Sequence, residues 1–188
     1  ASDAPFPDSG DWQAYINRAV GALLEASRGH ALVLFTSYDS LRKAHDATKP
    51  ALDALGITSL KQGDDERSRL LDAFKTDTAS VLFATDSFWE GVDAPGETLQ
   101  LVIICKLPFR VPTDPVWRAR ADAIESRGGN SFMDLALPEA VIRFKQGFGR
   151  LIRHSEDRGA VAVLDSRIVR KQYGKLFVHS LPECGMAE

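Results

Sequence analysis

The sequence predicts an α/β domain built on a mostly parallel sheet, and three observations predict it. Short unbroken apolar runs recur at Ala31–Phe35, Ile57–Leu60, Ser80–Ala84, Leu101–Cys105 and Ala160–Leu164. Such runs mark strands covered on both faces, as parallel strands are. Between them lie stretches whose apolar residues return at helical spacing, and strand–helix alternation builds parallel sheets. Finally, 188 residues, 44% of them hydrophobic, suffice to bury the core of one domain without disulfide or metal staples.

The elements follow in order. Asp11–Ser27 carries Trp12, Ile16, Ala19, Val20, Leu23 and Leu24 on one stripe and stops at Arg28-Gly29, a C-capping pair. The first strand leads to a helix over Asp39–Ala47, and the second to one over Asp64–Lys75, which opens on a capping aspartate and carries Leu70, Leu71 and Phe74. Pro115–Ser126 and Pro138–Arg153 are helices with proline in the first turn, and Val169–Ser180 closes the domain. Residues 1–10, ASDAPFPDSG, read as a linker or the edge of a fragment, 11–182 as the domain, and 183–188 as a tail. Ligands of such sheets bind at the carboxyl ends of strands. The loops after Phe35, Ala84, Cys105 and Leu164 are therefore where a site is expected.

Charge and cysteines narrow the function. A net charge of -3 argues against a free-standing module that wraps nucleic acid, so any such grip is local or shared. Cys105 and Cys184 stand far apart with no CxxC and no histidine cluster, too few ligands for a structural zinc or an iron–sulfur cluster. Cys105, inside LVIIC, reads as a buried inert thiol. This cysteine usage suits a reducing, cytoplasmic setting. No apolar run approaches the roughly 18–20 residues of a membrane span, and no signal peptide opens the chain.

The chemistry gathers at Pro138–Arg153. Val141, Phe144, Phe148 and Leu151 or Ile152 form an apolar stripe. Arg143, Gln146, Arg150 and Arg153 form a second, shifted by two residues, about 200° around a helix and so turned from the core. A solvated polar face is the ordinary reading of such a stripe. Here, however, no acid balances the arginines. Gly147 and Gly149 also interrupt the helix around Phe148, at about 1 kcal/mol each relative to alanine, which suits close approach to the backbone. Planar, permanently charged arginines suit phosphate. Two of them at i and i+3 can meet a γ-phosphate from one side and stabilise the charge of phosphoryl transfer.

Gln146–Arg153, QGFGRLIR, resembles the QxxGRxxR motif VI of superfamily 2 helicases. Thr85–Gly96, TDSFWEGVDAPG, resembles motif V of the DinG/XPD branch, Leu32–Tyr38 its motif IV region, and Lys106–Phe109 with Pro112 and Pro115 its KLPFxxPxxP segment. SFWEGVD and QxxGRxxR in one chain make a specific pairing. The resemblance implies the second RecA-like motor domain, a three-layer sandwich, of a DNA helicase acting in repair or replication. It implies that Arg150 and Arg153 reach ATP and Mg²⁺ held by a first lobe, and that Gln146 orients near the phosphates. Glu90, Gly91 and Asp93, with Gly149, would line that cleft. Thr36, Ser37, Thr85, Ser87 and Lys106 would hold single-stranded DNA, and movement would run 5′ to 3′.

Plainer readings stay open at several of these positions. Asp93 also suits a turn, Thr36 and Ser37 also suit capping of the next helix with Asp39, Phe88 and Trp89 also suit the core, and Lys106 also suits a solvated strand end. Gly91–Thr98 fits G-x-x-x-x-G-x-T, yet Glu97 stands where a phosphate loop needs lysine and Pro95 spoils the amide cradle. Asp64–Arg67 opens a helix and is no DEAH box. With the phosphate loop and DEAH box absent, the chain alone is expected to hydrolyse ATP negligibly and to bind DNA weakly and salt-sensitively. Any iron–sulfur or exonuclease domain would lie outside it. The alternative reading is a non-catalytic RecA-like adaptor or nucleic-acid-binding domain. A small-molecule nucleotide enzyme is disfavoured, because no GxGxxG follows the first strand.

Overall fold

The computed structural model describes residues 2–85, 88, 99–111, 113–149, 151 and 158–187. Five strands form one sheet: β1 (Ala31–Leu34), β2 (Thr58–Lys61), β3 (Ser80–Ala84), β4 (Leu101–Ile104) and β5 (Ala160–Val163). Their order is β2-β3-β1-β4-β5, and every pairing is parallel. All five lie within a residue or so of the apolar runs; β1, β3 and β4 are buried on both faces, whereas the edge strands β2 and β5 are only half-buried.

Alternate residues of each strand feed two cores. Helices α1 (Trp12–Ser27) and α2 (Tyr38–Ala54) cover one face, where Ile16, Val20, Leu24 and Leu41 pack on Val33, Phe35, Phe83 and Ile103. Helices α3 (Arg67–Thr76), α5 (Leu137–Phe148) and α7 (Gly174–His179) cover the other, setting Phe74, Phe144 and Phe177 on Leu32, Leu82 and Val102. This is a three-layer α/β sandwich. Helix α4 (Pro115–Glu125) lies outside it, burying Ala121 alone among its residues.

Several helix ends differ from expectation. α2 runs past Pro50 to Ala54. Interior proline costs about 3 kcal/mol or more, but Thr48 and Leu52 are buried and anchor the extra turns. α3 is capped at Glu66 rather than Asp64, with no side-chain cap bond. The C-cap of α1 at Arg28 is left-handed, φ 58°, and Gly29 follows at φ 91°, where a Cβ would lie 2.7 Å from the Ala79 carbonyl. The closing helix is two pieces, α6 (Arg167–Arg170) and α7. Gly174 packs so closely on the Ile168 carbonyl that a Cβ there would collide with it. A π-helical turn at Phe132–Ala136 leads into α5 and was not legible in the sequence.

Candidate functional site

The register of the sheet gathers residues far apart in sequence. Ala84, Leu34, Ile104 and Val163 lie side by side at the carboxyl ends of β3, β1, β4 and β5. Backbone bonds carry the ladder one step further: the Phe35 N–H donates to Ala84 (2.9 Å), Cys105 to Leu34 (3.0 Å) and Leu164 to Ile104 (2.9 Å). The four chains leave the sheet level with one another. Thr36, Ser37, Thr85 and Lys106 therefore come to one edge.

Their local chemistry is specific. Thr36 is half-buried and Ser37 exposed. Ser37 is the N-cap of α2, its Oγ accepting from the Ser40 N–H at 3.2 Å, so the capping reading holds for Ser37. Gln62 Oε1 accepts from both the Thr85 N–H (2.7 Å) and the Thr85 hydroxyl (2.9 Å). Lys106 is half-buried, with its ammonium over the Trp12 ring at 5.7 Å and 3.9 Å from Asp8. It is more enclosed than a plain solvated lysine. Residues 2–10 touch the domain at a few points: Ala4 is buried, and Phe6 lies under Arg170 and Lys171, each 5.5 Å from its ring.

The same edge holds a residue that sequence reasoning passed over. Asp165, at the end of β5, is fully buried. It accepts from the Leu107 N–H (2.8 Å), the Arg167 N–H (3.0 Å), and Arg167 Nε and Nη2 at 2.9 and 2.6 Å. Burial works against the Arg167 charge, but Asp165 outweighs it and holds the guanidinium above its already high range. Arg167 in turn lies over Phe109 (5.4 Å), which packs against Phe132, Tyr173 and Phe177. Asp165 thus pins the Lys106–Phe109 loop to the exit of β5. An aspartate closing an apolar strand was the available signal.

Gln146 and Gly149 lie elsewhere. α5 continues through Gly147, which is buried within it, and ends with Gly149 as C-cap. Gly147 thus does not interrupt the helix. At Gly149 a Cβ would stand 3.3 Å from the Lys145 carbonyl, a tight fit. Phe144, Phe148 and Leu151 are buried, as the apolar stripe requires, while Arg143 and Gln146 are half-buried rather than fully solvated. Leu151 reaches the backbone of Gly159, beside the Gln100 carbonyl, so α5 ends at the amino-terminal edge of the sheet. Four-residue strands at about 3.3 Å per residue put the two edges about 13 Å apart. Of the six described candidate residues the carboxyl-end rule therefore located four, Thr36, Ser37, Thr85 and Lys106, and missed Gln146 and Gly149.

Ser87, Glu90, Gly91, Asp93, Arg150 and Arg153 lie outside the described residues, as does Trp89. The described ends of the segment carrying the first four, Thr85 and Leu99, stand at opposite edges. Phe88 belongs to the core, with the Arg67 guanidinium over its ring at 5.2 Å. Among the described residues no group of three or more His, Cys, Asp or Glu is placed to hold a metal ion, and no helix is long and apolar enough to cross a membrane.

Cys105 is fully enclosed, and burial pushes its thiol well above the usual cysteine range. Cys184 is exposed. A thiol reagent is expected to label one cysteine quickly in the native chain and the second only on unfolding. Fast labelling of both would overturn the packing of β4 described above.

Comparison with known proteins matches residues 20–184 to the family described as helicase C-terminal domain. An ATP-dependent DNA helicase YoaA of Haemophilus influenzae is 45% identical over 160 residues, covering 85% of this chain and 24% of that protein. A 3′-5′ exonuclease DinG of Bacillus subtilis is 41% identical over 173 residues, 91% of this chain and 19% of that protein. An ATP-dependent helicase DinG of Mycobacterium tuberculosis is 45% identical over 163 residues, 87% of this chain and 24% of that protein. The chain thus spans about a fifth to a quarter of these relatives. Two solved structures share the fold at 18% identity: S. tokodaii Xpd4, TM-score 0.61 over 93% of this chain and 35% of that one, and an apo XPD, TM-score 0.66 over 92% and 35%.

Proposed function

We propose that this chain, which belongs to the helicase C-terminal domain family, is the second motor lobe of an ATP-driven DNA helicase of the DinG/XPD type. The observation that carries the reading is the division of its candidate residues between two sheet edges. At the carboxyl edge, Thr36, Ser37, Thr85 and Lys106, with Ser87 following Thr85, offer hydroxyls, amides and one ammonium to the backbone of single-stranded DNA. At the amino edge, α5 delivers Gln146 and Gly149, with Arg150 and Arg153 next in sequence, to ATP and Mg²⁺ bound by the first lobe. Glu90, Gly91 and Asp93 belong to the segment joining the two edges, so the nucleotide and DNA sites share one stretch of chain.

The chemistry assigned to this lobe is charge stabilisation. As the γ-phosphoryl group leaves, negative charge develops on its oxygens and on the bridging oxygen. The guanidiniums of Arg150 and Arg153, which follow α5 in sequence, would meet that charge. A lobe supplying arginines but no phosphate loop has little to do alone. Joined to its first lobe, the chain is expected to hydrolyse ATP with stimulation by single-stranded DNA and to move 5′ to 3′. Alone, it is expected to stay near background in a phosphate-release assay. Robust turnover by the chain alone would refute the divided site. A joined protein that binds DNA without turning over ATP would favour the adaptor reading.

A further inference from the structure

The bond between Gln62 and Thr85 carries an inference that rests on this reading of Thr85 as a DNA contact. A backbone N–H can only donate, so the Gln62 atom 2.7 Å from the Thr85 nitrogen is the amide oxygen. The Thr85 hydroxyl, 2.9 Å from that same oxygen, then donates as well. Thr85 thus aims two donors, one backbone and one side-chain, at a single oxygen. The loop that bears Gln62 is itself tied down, since the Gln62 N–H donates to Phe83 at 2.9 Å. Both residues are half-buried at the carboxyl edge of the sheet, where ligands of such folds bind.

We propose that this two-donor seat is a phosphate-oxygen site whose occupant, when DNA is absent, is the Gln62 carboxamide, and that a phosphodiester oxygen of single-stranded DNA displaces it. The hydrogen-bond count requires the exchange. While its proton is given to Gln62, the Thr85 hydroxyl has none to give a phosphate, and an oxyanion needs donors. The exchange is favourable because an ionised oxygen makes shorter and stronger bonds with the same donors than a neutral amide does. Gln62 keeps the pair from being left unpaired in the empty state, which would carry its own desolvation cost. It therefore acts as a competitor that sets DNA affinity rather than as a ligand of DNA.

The test is fluorescence anisotropy of labelled oligo(dT) with the intact protein carrying this domain, without nucleotide. Gln62→Leu removes the competitor and is expected to tighten binding about 3- to 10-fold, the factor one net hydrogen bond is worth. Gln62→Glu places a carboxylate on the same donors and is expected to weaken it by at least a similar factor. A merely structural role for Gln62 would weaken binding in both variants, so loss in both, or no change in either, overturns the inference. Thr85→Val separates the two readings. If Thr85→Val weakens binding while Gln62→Leu fails to tighten it, displacement is wrong and the DNA contact survives. If Thr85→Val changes nothing, both fall. Inorganic phosphate competing as well as oligo(dT) at equal ionic strength would refute the phosphodiester assignment.

Discussion

Arg150→Ala in the intact protein is expected to lower DNA-stimulated ATP turnover by about 10³ or more, the effect of losing a transition-state arginine in phosphoryl transfer. ATP affinity should change far less if, as proposed, a first lobe holds the ground-state nucleotide. The arginine follows a helix end that is firmly set. Phe144, Phe148 and Leu151 are buried on either side of the position, and the Leu151 N–H returns to the Phe148 carbonyl at 3.1 Å. Arg150→Lys should rescue little, since an ammonium lacks the planar fork. Arg153→Ala should resemble Arg150→Ala, and the double variant should be scarcely worse than either, because groups that act on one transition state are not additive. The measurement is steady-state hydrolysis at saturating DNA. Turnover near wild type in both single variants would sink the assignment and favour the adaptor reading.

The three central strands, β1, β3 and β4, were legible because parallel strands inside a three-layer fold are covered twice. A strand covered twice shows as an unbroken apolar run, whatever lies around it. Helix ends were less legible, because tertiary contacts override local signals. Leu52 pulls α2 past Pro50, and the close approach of Gly174 to Ile168 splits what periodicity reads as one helix. The edges were less legible still. Local motifs supplied Thr85 and Lys106, but the residues that hold them come from 23 and 98 to 94 positions away in the case of Gln62 and of Asp8 with Trp12. Asp165 reaches back 58 positions to the Leu107 amide. Pairings of that range leave no period in a single sequence. Nor could spacing reveal that α5 ends at the sheet edge opposite Thr85, because that depends on where the chain re-enters β5.

Asp165→Ala is expected to destabilise the domain by about 3–5 kcal/mol, the cost of breaking a buried charge pair from one side. The substitution removes every acceptor of the Leu107 N–H and of Arg167 that the carboxylate supplies. It strands a guanidinium with only 18% of its side chain exposed. For a domain of this size each kcal/mol lowers the melting temperature by about 2–4 °C, so the midpoint should fall by roughly 6–20 °C. Arg167→Ala should also be costly, because it leaves a carboxylate with no exposure and only backbone donors. The informative variant is the double replacement Asp165→Leu with Arg167→Met. Removing both charges spares the desolvation of each, so this pair should be less damaging than either single change. Thermal and urea unfolding of the wild type, this double variant and its two component singles, Asp165→Leu and Arg167→Met, close the cycle. A double variant as damaged as the sum of the singles would show that the pair is not coupled. A harmless Asp165→Ala would show that the loop after β4 is held by its aromatic packing on Phe132, Tyr173 and Phe177 alone.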